Sequence, residues 1–179
     1  MEPKLENNVN APLESTSATD TRLDAIGVLK RREIEARILA PVLDALGREF
    51  GRDRVLEITR RTISDIAQRH GQALRSEAGG DSLSDFAQLL PRWQQDGGIE
   101  LKVLAQSDQE LSFDVVRCRF AEMYRELGIP ELGALLSCNR DGSMISGFNS
   151  EVELTRSQTI MTGASHCDFR FRRKEAGAW

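Results

Sequence analysis

The hydrophobic period of this chain changes once, at Gly97-Gly98. Before that joint, large apolar residues return at steps of three and four. After it, they alternate with polar ones. The first pattern is that of helices with one buried side, the second that of strands with one buried face. Strands grouped together, rather than alternating one for one with helices, specify an α+β fold with an antiparallel sheet.

The helical part has three segments. Ile34, Ile38, Leu39, Val42, Leu43, Leu46 and Phe50 form one stripe within about Thr21 to Phe50, and Pro41 inside it predicts a kink or a break. A second helix is predicted from about Asp53 to Leu74, buried on Val55, Thr59, Ile63, Ile66, Ala67, His70 and Leu74, and stopped by Gly79-Gly80. A third starts at Ser82, where Ser82 and Asp85 have capping-box spacing, and is ended or kinked by Pro91. Residues 1–20 are rich in Asn, Ser, Thr, Glu and Pro and read as a disordered tail. The remainder, 21–179, reads as one domain, with a helical scaffold over 21–96 and a cysteine-containing sheet unit over 99–173.

Ile99, Leu101 and Val103 alternate, Gln106 to Gln109 turn the chain, and Leu111, Phe113 and Val115 alternate again, which is a hairpin. Phe120 to Leu127 reads as a helix. Another from about Glu131 leads to Cys138, and Asn139-Arg140-Asp141-Gly142 follows as a turn. Val152 to Ile160 alternates as a strand, Gly163 turns, and Cys167, Phe169 and Phe171 share one face of a last strand. The expected architecture is N-terminal helices packed on a roughly four-stranded antiparallel sheet, with a helical crossover between two hairpins.

A chain of 179 residues, 40% hydrophobic and 29% charged, is long enough to bury a sizeable core. Its net charge of −4 offers no global positive field for nucleic acid. The basic run Arg170, Arg172, Arg173, Lys174 reads as a solvated face. No apolar run approaches the ~20 residues that span a bilayer, so no membrane partner is expected. With no leader pattern and three cysteines that cannot all pair, the expected location is the cytoplasm. An apolar helix pair makes a homodimer plausible.

All three cysteines, Cys118, Cys138 and Cys167, fall in the sheet unit. Cys118 belongs at a strand-to-helix junction, where the helix dipole and free N–H groups favour a thiolate. Cys138 precedes Asp141, which either activates water or simply forms the turn. Cys167 shares a face with two phenylalanines, so it is a buried thiol or a nucleophile. Its neighbour His166 resembles a base, but a regular strand points the two apart unless a bulge intervenes. Each thiol is also readable as a small packed hydrophobe. The long spacings lack the close pairs of a structural zinc site, so no cofactor is expected; a zinc-stabilised domain, with the three cysteines and His166 or Asp141 as ligands, is the less favoured alternative and requires the fold to gather them. Arg156 lies on the inward face with Val152 and Leu154, and needs a carboxylate there, either structural or from a substrate. Tyr124 sits on the helix after Cys118, in the core or lining the same cavity.

Two stretches, Ile34 to Leu74 and the segment from Cys118 onward, resemble the L-2-amino-thiazoline-4-carboxylic acid hydrolase-like family. The residues that carry the resemblance are Cys118, Tyr124-Arg125-Glu126-Leu127-Gly128, Cys138 with Asp141, Arg156, Thr159 before Gly163, and Cys167-Asp168-Phe169. It covers roughly residues 30 to 173. The C-terminal hairpin also resembles the end of vinyl-reductase-type small-molecule-binding domains. The resemblance implies hydrolytic opening of a small cyclic amidine or amide by attack at the carbon between ring sulfur and nitrogen. A cysteine would attack first, or a carboxylate would activate water. The expected site has Cys118, Cys138, Cys167 and Asp141 as catalytic candidates, and Arg156, Tyr124 and His166 as substrate-binding ones. The alternative is a non-catalytic small-molecule sensor or carrier of related fold.

Overall fold

The computed structural model describes residues 26–174. The expected tail, residues 1–20, and any helical start before Ile26 lie outside that range. Two long helices come first: α1, Val28–Phe50, and α2, Arg52–Ala78. Pro41 neither breaks nor splits α1. Proline removes one N–H and frees the carbonyl four residues back, here that of Arg37. Both residues are exposed, so water can satisfy that carbonyl.

The apolar stripe of α1 is mostly not its buried side. Ala36 and Leu43 are buried, whereas Ile34, Ile38, Val42, Leu46 and Phe50 face solvent. Small Ala36 lets the neighbouring elements approach, and the larger residues turn outward. In α2 the expected side is largely the real one: Val55, Ile63, Ala67 and Leu74 are buried, joined by Gly71, while Ile66 is exposed. Gly79 closes α2 with a left-handed φ of 71°, a conformation glycine adopts without strain.

Ser82 caps α3, Leu83–Ala87, with the capping box in place: the Asp85 N–H donates to the Ser82 hydroxyl, and the Ser82 N–H donates to the Asp85 carboxylate. Pro91 does not end this helix but opens α4, Pro91–Gln94, where a missing N–H costs nothing.

The hairpin follows as β1, Ile99–Gln106, and β2, Glu110–Cys118. Then come α5, Arg119–Glu126, and α6, Pro130–Gly133. A π-helical turn over Ala134–Cys138 runs into α7, Arg140–Phe148. Asn139 to Gly142 is therefore the start of a helix and not the expected turn. The predicted strand beyond Val152 is short: β3 is Val152–Thr155, and a 3₁₀ turn over Ile160–Thr162 precedes β4, Cys167–Arg173. The sheet is antiparallel throughout, in the order β1-β2-β4-β3.

Two apolar clusters hold these layers together. One joins the inner face of the sheet to α2, α3 and α7 through Leu111, Phe113, Phe171, Phe86 and Phe148. Its rings pack edge to face or tilted, with Phe86 centred 5.1 Å from Phe148 and 5.5 Å from Phe171. The other joins α1, α2, α5 and the π turn through Ala36, Leu43, Ile63, Tyr124 and Leu136. Cys118 packs against both.

Candidate functional site

A cavity of about 870 Å³ lies where the two clusters meet. Cys118, Cys138 and Cys167 all line it, with Asp141 and Arg156. The three thiols, 20 and 29 residues apart along the chain, are thus gathered into one hollow by three different elements.

Each arrives by its own route. Cys118 is the residue on which β2 ends and α5 begins. Cys138 closes the π turn, whose wider winding leads directly into α7 and the first-turn residue Asp141. Cys167 opens β4 on the face it shares with Phe169 and Phe171, and its sulfur accepts the Ile160 N–H at 3.2 Å. Arg156 stands just past β3 and points inward. Its Nη1 donates to Asp141, its Nη2 donates to the Cys138 carbonyl at 3.0 Å, and its guanidinium lies 4.9 Å from the Phe169 ring centre.

The electrostatics correct one expectation. Cys118 has the helix-start position that favours a thiolate, but burial pushes its pKa up to about 11, against the pull of the Ala121 and Phe120 N–H groups. Burial, followed by the nearby Asp141 carboxylate, pushes Cys138 up to about 12. Burial also raises Cys167, against the Ile160 N–H. All three rest as neutral thiols near neutral pH, because desolvation outweighs the helix dipole. Burial raises Asp141 as well, despite Arg156 beside it. Arg156 itself is held charged by Asp141, against its own burial.

Two expected binding residues lie elsewhere. Tyr124 is fully buried in the second cluster, and its ring is core rather than cavity wall. Its hydroxyl accepts from Ser137 at 3.2 Å, and Ser137 does line the cavity. His166 lies just before β4, outside the cavity lining, where it meets Gln158 and Ser165. Asp168, on the face of β4 opposite Cys167, takes the Ser157 hydroxyl at 2.6 Å and the Gln158 N–H at 2.9 Å; desolvation is the largest single influence and raises its carboxyl, but these hydrogen bonds together hold it down at about 2.

The sequence reading missed most of a second polar cluster in the cavity. Arg32, Glu35, His70 and Arg140 also line the cavity. Arg32 donates to both Glu35 oxygens at 2.6 and 2.5 Å, and Arg140 donates to Glu35 at 3.3 Å and to the Leu136 carbonyl at 2.7 Å. Burial, with Arg32 as the next cause, drops His70 to about 4, so it is neutral. The available signal was helical: Arg32 and Glu35 are three apart on α1, whereas Arg140 lies within Asn139-Arg140-Asp141-Gly142, which reads as a turn. Among the described residues, no three His, Cys, Asp or Glu side chains are placed to hold a metal ion, and no helix is long and apolar enough to cross a membrane.

An α+β chain with a largely apolar cavity, a half-buried carboxylate–guanidinium pair and neutral thiols has the general form of a small-molecule site. The family model described as L-2-amino-thiazoline-4-carboxylic acid hydrolase matches residues 31–171. The chain belongs to that family, and is thereby a hydrolase acting on carbon–nitrogen or carbon–sulfur bonds of a cyclic amidine or amide. No curated protein matches it. Among solved structures it is similar to the phenol-responsive sensory domain of the transcription activator PoxR with phenol, at 12% identity over 76% of this chain and 73% of that one, with a TM-score of 0.49. It is also similar to a trafficking protein particle complex subunit 3 from Naegleria fowleri covalently bound to palmitic acid, at 18% identity over 80% of this chain and 97% of that one, with a TM-score of 0.49.

Proposed function

We propose that this protein opens the ring of a 2-amino-thiazoline-4-carboxylate-like substrate inside the cavity, with Asp141 as the base and water as the attacking group. The observation that carries this reading is the half-buried Asp141–Arg156 pair beside three thiols that are all neutral. The Asp141 carboxylate takes a proton from water, and the oxygen bonds to the carbon between ring sulfur and nitrogen. The electrons of the carbon–nitrogen double bond move to nitrogen, which takes up a proton. The hydroxyl left by the attack gives its proton to solvent, replacing the one that solvent supplied to nitrogen, and its oxygen forms the carbonyl as the carbon–sulfur bond breaks; the electron pair leaves with sulfur, and the protonated Asp141 passes its proton to that thiolate. Substrate plus one water gives an N-carbamoyl amino-acid thiol. Arg156 is a positioning residue that keeps Asp141 in place and ionised for the attack. Cys118, Cys138 and Cys167 give the sulfur-bearing ring a polarisable wall.

Single substitutions test the division of roles. Asp141→Asn is expected to cut kcat by about 10²–10⁴, read as free-thiol release, while Cys→Ser at each of the three positions costs less than about tenfold. A cysteine variant that loses as much as Asp141→Asn replaces the water route with covalent attack by that sulfur. The setting that suits three free thiols in one cavity is a reducing one, which makes the cytoplasm the proposed location.

The assembly we infer is a homodimer through α1 and α2. Ile34, Ile38, Val42, Leu46 and Phe50 on α1, with Ile58 and Ile66 on α2, are each 39–61% exposed. Together they present roughly 600 Å² of apolar surface, at the upper end of what a monomer leaves open and approaching the ~800 Å² that each partner of an ordinary interface buries. Two such helix pairs meeting about a two-fold axis would cover both faces at once.

A further inference from the structure

The cavity carries more charge and more volume than the ring-opening chemistry uses. Arg32 and Arg140 are nearly buried, with side chains only 13% and 11% exposed, and both lean on the same carboxylate, Glu35. Two guanidiniums against one carboxylate leave an excess positive charge at a wall of the cavity. Neutral His70 beside them does not change that balance, and burial lowers Arg140 to about 10, so it stays charged. Buried charge without a full counter-charge is costly unless something completes it. Arg156 is not available in the same way, since both of its Nη atoms are already engaged by Asp141 and the Cys138 carbonyl.

The remaining wall is apolar. Phe86, Trp93, Ile99, Phe113, Phe120 and Phe171 line it, drawn from α3, α4, the sheet and α5. A bare amino-thiazoline acid has about nine non-hydrogen atoms and fills on the order of a fifth of such a space. An unfilled apolar chamber of this size fits a larger body, and an aromatic wall favours a flat or branched hydrocarbon.

We propose that Arg32 and Arg140 form the subsite for the substrate's carboxylate, and that the natural substrate is an amphipathic acid with a bulky aryl or alkyl group held against the aromatic wall. Glu35 is the shared counter-ion that keeps the two guanidiniums apart and oriented. The anion bridges them by charge-assisted hydrogen bonds, the reacting ring lies over the thiols and Asp141, and the apolar group reaches towards Phe86 and Trp93. This rests on the ring-opening reading for the position of the reacting atoms, but not for binding.

Calorimetry on the full chain, with product analysis run in parallel, tests it using three probes: 2-amino-thiazoline-4-carboxylate, the same acid with a phenyl group on ring carbon 5, and the methyl ester of that phenyl compound. The phenyl acid is expected to bind at least tenfold more tightly than the bare acid and at least tenfold more tightly than its ester. Arg32→Met and Arg140→Met are each expected to shrink the acid-over-ester preference at least tenfold, and Arg140→Lys to retain part of it. A bare acid that binds as tightly as the phenyl acid overturns the apolar half of the proposal. An ester that binds as tightly as the acid, or a preference untouched by either arginine variant, overturns the anion half. The probe comparison on unmodified protein decides the matter even where a variant fails to fold. If the affinity order holds and no product forms from any probe, the hydrolytic assignment of Asp141 falls while this subsite stands. If product forms and the order fails, the reverse is true.

Discussion

Asp141 and the thiols demand deprotonation at different pH. Burial raises the Asp141 carboxyl above its ordinary value of 3.8, so a base reaction gains rate as pH rises through that raised pKa and then levels off. A thiolate reaction would instead keep climbing towards pH 11, where Cys118 ionises. The kcat/KM profile between pH 4 and 10 is expected to reach a plateau, and a slope that persists above pH 8 would favour sulfur. The same shift acts on stability: a carboxyl whose pKa is higher in the folded state stabilises the fold below pH 3.8, and that contribution is lost as pH rises through the folded value. His70 works from the other direction. Its folded pKa of about 4 lies below the ordinary 6.5, so its contribution is complete above pH 6.5 and is lost as pH falls towards 4. His70→Gln should flatten the fall in Tm over that window, measured at matched ionic strength. At this scale the sequence was partly legible. The sharing of a face by Cys167, Phe169 and Phe171 and the inward turn of Arg156 both follow from alternation alone. The neutrality of Cys118 does not, because it depends on how much surrounding chain excludes water.

Among the elements, the contact between α2 and α7 is the closest. A Cβ on Gly71 would sit 1.9 Å from the Met144 carbonyl oxygen, and one on Gly147 would sit 2.0 Å from that of Gln68. The two glycines let the helix backbones touch, and α7 carries Asp141 at its other end. Gly71→Ala and Gly147→Ala should each destabilise by about 1–3 kcal/mol through overpacking, read by urea unfolding, and should lower activity in the fraction that remains folded. The order of elements could be read from period and punctuation, from the capping box at Ser82 to the junction at Cys118. The start of α7 could not. Asn-Arg-Asp-Gly has the composition of a turn, and only packing against α2 makes it helical. The stripe of α1 misled for a related reason. Periodicity finds an apolar face but does not say which partner covers it, and within one chain small Ala36 fits the available space better than Ile38.

For the whole molecule, that uncovered face has a measurable consequence. Light scattering is expected to give twice the chain mass at micromolar concentration, and Ile38→Glu with Val42→Glu should return it to a single chain while circular dichroism stays unchanged. A doubly substituted protein that remains dimeric would move the interface elsewhere. Ile66 belongs both to the exposed face and to the lining of the cavity, so the proposed pairing would fall at the rim of the site. Ligand affinity should therefore depend on protein concentration in the range where dimer and monomer exchange. The broad plan of helices first and antiparallel sheet after was plain from the single change of period. The meeting of three distant sulfurs was not, since no local pattern records that β2, the π turn and β4 end at one place.

The wider winding at Ala134–Cys138 makes the site sensitive to chain length in an unusual way. An α-helix advances about 100° per residue, so deleting one residue there would do more than shorten the connection. It would swing Asp141 about a quarter of a turn away from Arg156 and carry the Met144 and Gly147 contacts with α2 out of phase. Among natural variants of this chain, insertions and deletions should be tolerated in the 107–109 turn and purged from 134–138, even though neither stretch contains the proposed base.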